Sequence, residues 1–114
     1  MKENKLVELS MDFSVDIINL VKFLKANHET IIANQIGRSG TSIGANIREA
    51  QYAHGKADFV AKLQIALKEC SETEYWIELL LESGYYRDKS LLDKSTEIKR
   101  ILISSINTAK ENIN

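Results

Sequence analysis

The 114-residue chain has room for one domain, which at this size buries roughly two thirds of its unfolded surface. Its 44% hydrophobic and 27% charged residues exclude a disordered or membrane-embedded chain, and a net charge of −1 excludes a strongly basic nucleic-acid binder. With no proline and only 5 glycines, nothing prevents long uninterrupted helices.

Leu6, Leu9, Phe13, Ile17, Leu20 and Leu24 step by three or four and predict a first helix, with Lys22 and Lys25 in its last turns complementing the dipole. After the polar "KANHET", Ile32, Ile36, Ser39, Ile43, Asn46, Ile47 and Ala50 continue the stepping to about Tyr52. A turn at Gly55 opens a third helix with Phe59, Leu63, Ala66, Cys70, Thr73, Ile77 and Leu80 on one stripe. Val60, Leu67, Trp76 and Leu81 widen that stripe enough to touch more than one neighbour. Gly84 is placed to cap it, and "YYRDKS" connects to a fourth helix begun by Asp88 or Ser90. Its face carries Leu91, Ile98, Leu102, Ser105, Ala109 and Ile113, with Ile101 and Ile106 beside it. Four helices of about 20 to 26 residues with short turns predict an all-α, antiparallel up-down-up-down four-helix bundle in a single domain, residues 1–114.

The N-terminus "MKENKLVELSMDFSVDII" carries acids inside its apolar pattern and is no signal peptide, and no run reaches the length of a membrane span, so a cytoplasmic location is expected. The lone Cys70 reads as a buried small apolar residue. The charge is uneven: residues 55–84 sum to −3 and residues 85–114 to +2.

"QIGRSGTSIGANIREAQ" sets Gly37, Gly40 and Gly44 on one helix face, with Ala33 one turn before. A phosphate-binding loop is excluded, because Thr41 follows Gly40, no lysine lies nearby and no strand precedes. Each glycine costs about 1 kcal/mol of helix propensity, which calls for close backbone packing as compensation. The alternative is that "GRSG" breaks the helix in two. Ile36, Ile43, Ile47 and Ala50 keep their phase across the glycines, which favours one helix.

The acids of the third helix, Glu69, Glu72, Glu74, Glu78 and Glu82, invite comparison with di-metal bundles, whose ligands need Glu-x-x-His on two helices. Three positions before His28 stands Lys25, and before His54 stands Gln51, so no metal, cofactor or catalytic residue is expected. Polar residues inside apolar stripes are the better candidates: Arg38, Ser39, Ser42, Asn46 and Glu49, facing Glu69, Ser71, Thr73 and Glu74. Such groups must find partners when buried, and a network of them would fix the register of helices or subunits. The functional alternative is nucleic-acid contact through Arg38, Arg48 and Lys56, or through Arg87, Lys89, Lys94, Lys99 and Arg100, diluted by Asp88, Asp93 and Glu97. Tyr52, Tyr75, Trp76, Tyr85 and Tyr86 would stack on bases only beside cations. The acids around Tyr75 and Trp76 favour subunit or partner contact instead.

"RSGTSIGANIREAQYAHGKADFVAKLQIALKECSETEYWIELLLESGYY", residues 38–86, resembles the four-helix-bundle family of proteins encoded in intervening sequences of bacterial 23S ribosomal RNA genes. The resemblance lies in Arg38, Ser39, Ser42, Ile43, Ala45, Asn46, Ile47 and Glu49, then in Phe59, Leu63, Ser71 and Glu74. Many members carry proline where this chain has Gly44, and Glu-Gly where it has Glu49 and Ala50, so a kink at Gly44 is left open. The resemblance implies a bacterial homopentamer acting as a non-enzymatic scaffold or accessory protein. A similar fold serves as the accessory protein of diversity-generating retroelements, a pentamer that binds nucleic acid and a reverse transcriptase. The partners it implies are further copies of the chain, with nucleic acid or a nucleic-acid enzyme as the alternative.

Overall fold

The structure is a computed structural model that describes residues 2–111. Four helices follow one another: α1 (Lys2–Ala26), α2 (Thr30–Ala50), α3 (Lys56–Glu82) and α4 (Ser90–Glu111). They lie in a rod of 49 × 21 × 20 Å. Each helix packs on its neighbours in sequence and α4 closes on α1, while among the described residues the diagonal pairs α1/α3 and α2/α4 have no close backbone approach. Direction follows from the residues that face each other. Along α1, Ser10, Ile17 and Val21 oppose Gly44, Gly40 and Gly37 of α2, so the numbers run in opposite senses. Glu49 with Lys62 and Ser39 with Thr73 make α2 and α3 antiparallel, and Asp16 with Lys94, together with Phe23 against Tyr86 in the connection leading into α4, does the same for α1 and α4.

The helix ends obey local chemistry. Glu29 accepts the Ile32 amide at 3.0 Å and caps α2, while Asp88 accepts the Ser90 amide at 2.9 Å ahead of α4. Gly84, at φ +74, closes α3 in the left-handed conformation, with Tyr85 N–H reaching Leu80 O and Gly84 N–H reaching Leu81 O. The same bond pattern ends α1 around His28, at φ +66, where no glycine signalled it. The helix α2 ends at Ala50 rather than near Tyr52, because Gln51, Tyr52 and Ala53 donate to carbonyls three residues back and tighten the chain out of the helix.

The core is the inner face of all four stripes. Phe13, Ile17, Leu24, Ile36, Ile43, Ile47, Leu63, Ile77, Leu80, Ile98 and Leu102 are essentially inaccessible, each stabilising the fold by about 1.5–3 kcal/mol relative to exposure. The broad apolar arc of α3 does touch two neighbours, α2 and α4. On α3 the core takes Val60 while Phe59 sits half-buried, and on α4 it takes Ser95 and Ile106 while Ser105 and Ala109 stay at the margin. Ile113 lies outside the described residues. Cys70 is fully buried, and desolvation pushes its thiol up to about 11.

The glycine face of α2 finds its compensation in α1. The helix is continuous through Gly37, Gly40 and Gly44, so "GRSG" does not break it. A Cβ on Gly40 would sit 2.8 Å from Cγ1 and 2.9 Å from Cγ2 of Ile17, and one on Gly37 would be 3.3 Å from Val21 Cγ2. Gly44 is looser, with Ser10 and Ser14 oxygens at 3.4 Å. The missing side chains let α1 and α2 approach closely, and Ile17 fills the space that Gly40 vacates.

Candidate functional site

The residues singled out in the sequence gather on the seam between α2 and α3, but not as one network. Arg38, half-exposed, spans to α3 and pairs with both Glu69, at 3.2 Å, and Glu72. Its hydrogen bond holds the Glu72 carboxyl below the usual range, and Glu72 in turn raises the Arg38 guanidinium. Glu72 also accepts the Trp76 indole N–H at 3.2 Å, and Trp76 meets Tyr75 edge to face at 5.0 Å. Under this outer layer the Ser39 and Thr73 hydroxyls lie 2.8 Å apart, fully buried. Thr73 is also 2.8 Å from the Glu69 carbonyl, which only accepts, so Thr73 donates there and Ser39 donates to Thr73. Further down, Glu49 pairs with Lys62 at 3.4 Å.

Four expected members stand apart. Ser42 donates to the Arg38 carbonyl and Asn46 to the Ser42 carbonyl, each one turn back on its own helix, so neither crosses to α3. Ser71 is exposed, and Glu74 turns the other way, to Lys99 of α4 at 3.1 Å. Glu72, not marked as a network residue in the sequence, carries the bond to Arg38; its spacing of three from Glu69 was the available signal.

The basic candidates do not converge. Lys94 is held by Asp16, whose hydrogen bond raises its pKa, and Lys99 is held by Glu74. Arg87, Lys89 and Arg100 are exposed without an ion pair among the described residues, Lys56 opens α3 at the opposite end, and Arg48 borders α1. The aromatics are equally dispersed: Tyr52 is at the α2–α3 turn, Tyr85 donates to Asn27 O at the other end, and Tyr86 packs on Phe23.

A feature the sequence reading missed lies between α1 and α2. A groove of about 300 Å³ is lined by Val7, Met11 and Ile18, over a floor of Ser10, Ser14, Thr41, Gly44 and Ala45, with Arg48 at one end. Met11, Val15 and Ile18 are 47%, 51% and 48% exposed, a row of large apolar side chains facing water. The floor hydroxyls are already committed: Ser10 to Val7 O, Ser14 to Ser10 O and Thr41 to Gly37 O. With its hydroxyl donors spent within their own helices, the floor suits an apolar side chain, while Arg48 at the end keeps its guanidinium donors. The spacing 11, 15, 18 is itself helical and marks a second apolar stripe on α1.

Among the described residues no cluster of three or more His, Cys, Asp or Glu is arranged to hold a metal, and no helix is long and apolar enough to cross a membrane.

Comparison with known proteins agrees with this geometry. The family model of the 23S rRNA-intervening sequence protein matches residues 2–104. A crystal structure at 1.70 Å of a protein of unknown function, from the S23 ribosomal protein family of Bacteroides thetaiotaomicron VPI-5482, is 51% identical. It superposes with a TM-score of 0.90 over 94% of this chain and 99% of that one. No curated protein matches the chain. The chain belongs to the family of 23S rRNA-intervening sequence proteins.

Proposed function

We propose that the chain is a non-enzymatic building block that assembles with copies of itself, as a pentamer, into a cytoplasmic scaffold or accessory protein. The observation that carries this reading is the row Met11, Val15 and Ile18 beside a groove whose polar floor is already satisfied. A lone bundle would bury such a row, and leaving it in water favours association. The buried Ser39–Thr73 contact and the Arg38–Glu69–Glu72 cluster support a rigid protomer with fixed helix register, not a reactive centre.

A second reading is an RNA-binding accessory role for the assembled oligomer, favoured by Arg87, Lys89 and Arg100, which are exposed and without carboxylate partners among the described residues. Light scattering on a sizing column, alone and with a short structured RNA at low salt, tests both. An oligomer that ignores the RNA supports the scaffold reading; one that takes up RNA and releases it steeply with salt supports the accessory reading. A monomer under all conditions refutes self-assembly.

A further inference from the structure

We propose that the α1/α2 groove binds a single-chain fatty acid, with the carboxylate on Arg48 and the hydrocarbon chain lying along the groove toward Ile18. The inference goes beyond self-assembly and does not depend on it, since every lining residue belongs to one copy.

The sequence shapes a trough one chain wide. Val7, Met11, Ser14 and Ile18 recur at four, three and four along α1 and turn toward α2, where Gly44 and Ala45 put almost no side chain opposite them. Because the two helices are antiparallel, Arg48 stands at the Val7 end and Thr41 at the Ile18 end. From Val7 to Ile18 is a height of about 16 Å at about 1.5 Å per residue. A volume of about 300 Å³ spread over that length leaves a cross-section of roughly 19 Å². That admits one extended chain. A helix, about 10–12 Å across with its side chains, is far too wide to enter, and a two-chain lipid would leave one chain in water.

The polar groups select the rest of the ligand. An extended peptide would lay its backbone carbonyls on a floor whose hydroxyls already donate within their own helices, whereas methylenes need no partner there. Met11, unbranched and adaptable, and Ile18 form the outer rim and are the apolar surface the chain takes from water. Arg48 is the one charged residue of the lining, and no carboxylate holds it among the described residues. Its guanidinium can donate two parallel N–H bonds to a carboxylate. One cation balances one negative charge; a phosphate monoester brings about 1.5–2 at neutrality, and no second cation lines the groove to meet the excess. A cationic head would be repelled. The result is an apolar trough with a single anion anchor at one end, the complement of a fatty acid.

Titration calorimetry of the full chain near neutral pH, with laurate kept below its micelle-forming concentration, tests the assignment. One laurate per chain is expected, with affinity rising about twofold to fourfold for each methylene added between octanoate and laurate. Arg48→Glu is expected to weaken laurate by about tenfold or more, and Ala45→Phe to block the trough and abolish binding; both positions are exposed, so both variants should keep wild-type helicity by circular dichroism. Dodecyltrimethylammonium, with a chain of the same length and the opposite charge, is expected to bind the wild type about tenfold more weakly than laurate, and dodecyl phosphate no more tightly than laurate. Equal binding of laurate and the cation, laurate affinity unchanged in Arg48→Glu, tighter binding of the phosphate, or no binding of laurate would each overturn the assignment. Light scattering on the same samples keeps the two readings apart. Laurate bound by a chain that stays monomeric removes self-assembly and leaves the fatty-acid site, whereas a stable assembly that takes up no laurate does the reverse.

Discussion

Replacing Gly40 by alanine tests the close approach of α1 and α2. Alanine is worth about 1 kcal/mol over glycine in a helix interior, so sequence alone predicts stabilisation. The new methyl would lie 2.8, 2.9 and 3.1 Å from three carbons of Ile17, a fully buried side chain. Ile17 is branched at Cβ and stiff, with core atoms on every side, so it cannot swing away. Overpacking of this kind costs about 1–3 kcal/mol, which cancels or exceeds the propensity gain. Gly44→Ala meets only ordinary contacts at 3.4 Å and keeps the gain. Gly40→Ala is expected to leave stability unchanged or lower it by up to about 2 kcal/mol while Gly44→Ala raises it by about 1 kcal/mol, a separation of about 2 kcal/mol or about 8 °C in melting temperature. Thermal melts followed by circular dichroism at one fixed protein concentration measure the difference, since association also raises apparent stability. Equal stabilisation by both would show that Ile17 yields freely and that the glycine face is not a packing device.

Three further outcomes follow from the seams and turns. Glu72 is held below its ordinary value first by the Arg38 hydrogen bond, so its contribution is present above an unfolded pKa of about 4.3 and is lost as pH falls through the folded value. Denaturant unfolding near neutrality and at acid pH should therefore show a smaller drop in Arg38→Ala than in the wild type; an unchanged drop would detach the pair from stability. Thr73→Val removes the acceptor of the buried Ser39 hydroxyl and is expected to cost about 1–3 kcal/mol, whereas adding Ser39→Ala recovers part of that loss, and a double-mutant cycle with no coupling would contradict the bond. His28→Gly relieves a non-glycine residue at φ +66 and should stabilise by about 1 kcal/mol in the same unfolding assay; a loss would mean the imidazole contributes more than the backbone strain costs.

The fold was legible because its information is periodic. Apolar residues at three and four spacing name the inner faces, and the phase kept across Gly37, Gly40 and Gly44 revealed one helix and its tight neighbour. The pairing of Arg38 with carboxylates on α3 followed from the need to partner a charge near a core stripe. Ser42 and Asn46 were harder, since short polar side chains satisfy themselves on the carbonyl one turn back, and sequence spacing does not distinguish that from a bond across a seam. The polar "KANHET" marked the turn, but the left-handed residue at His28 hid because such a residue other than glycine leaves no compositional mark. The groove was missed for a different reason. Met11, Val15 and Ile18 merge with the core stripe in a linear reading, and only the placement of α2 shows which apolar residues remain in water.

Sedimentation velocity of the purified wild-type chain across a wide concentration range is the most direct measurement. Self-assembly predicts one stable species with a mass close to five times the 12.9 kDa of the chain. A single species at the mass of one chain throughout the range would contradict it.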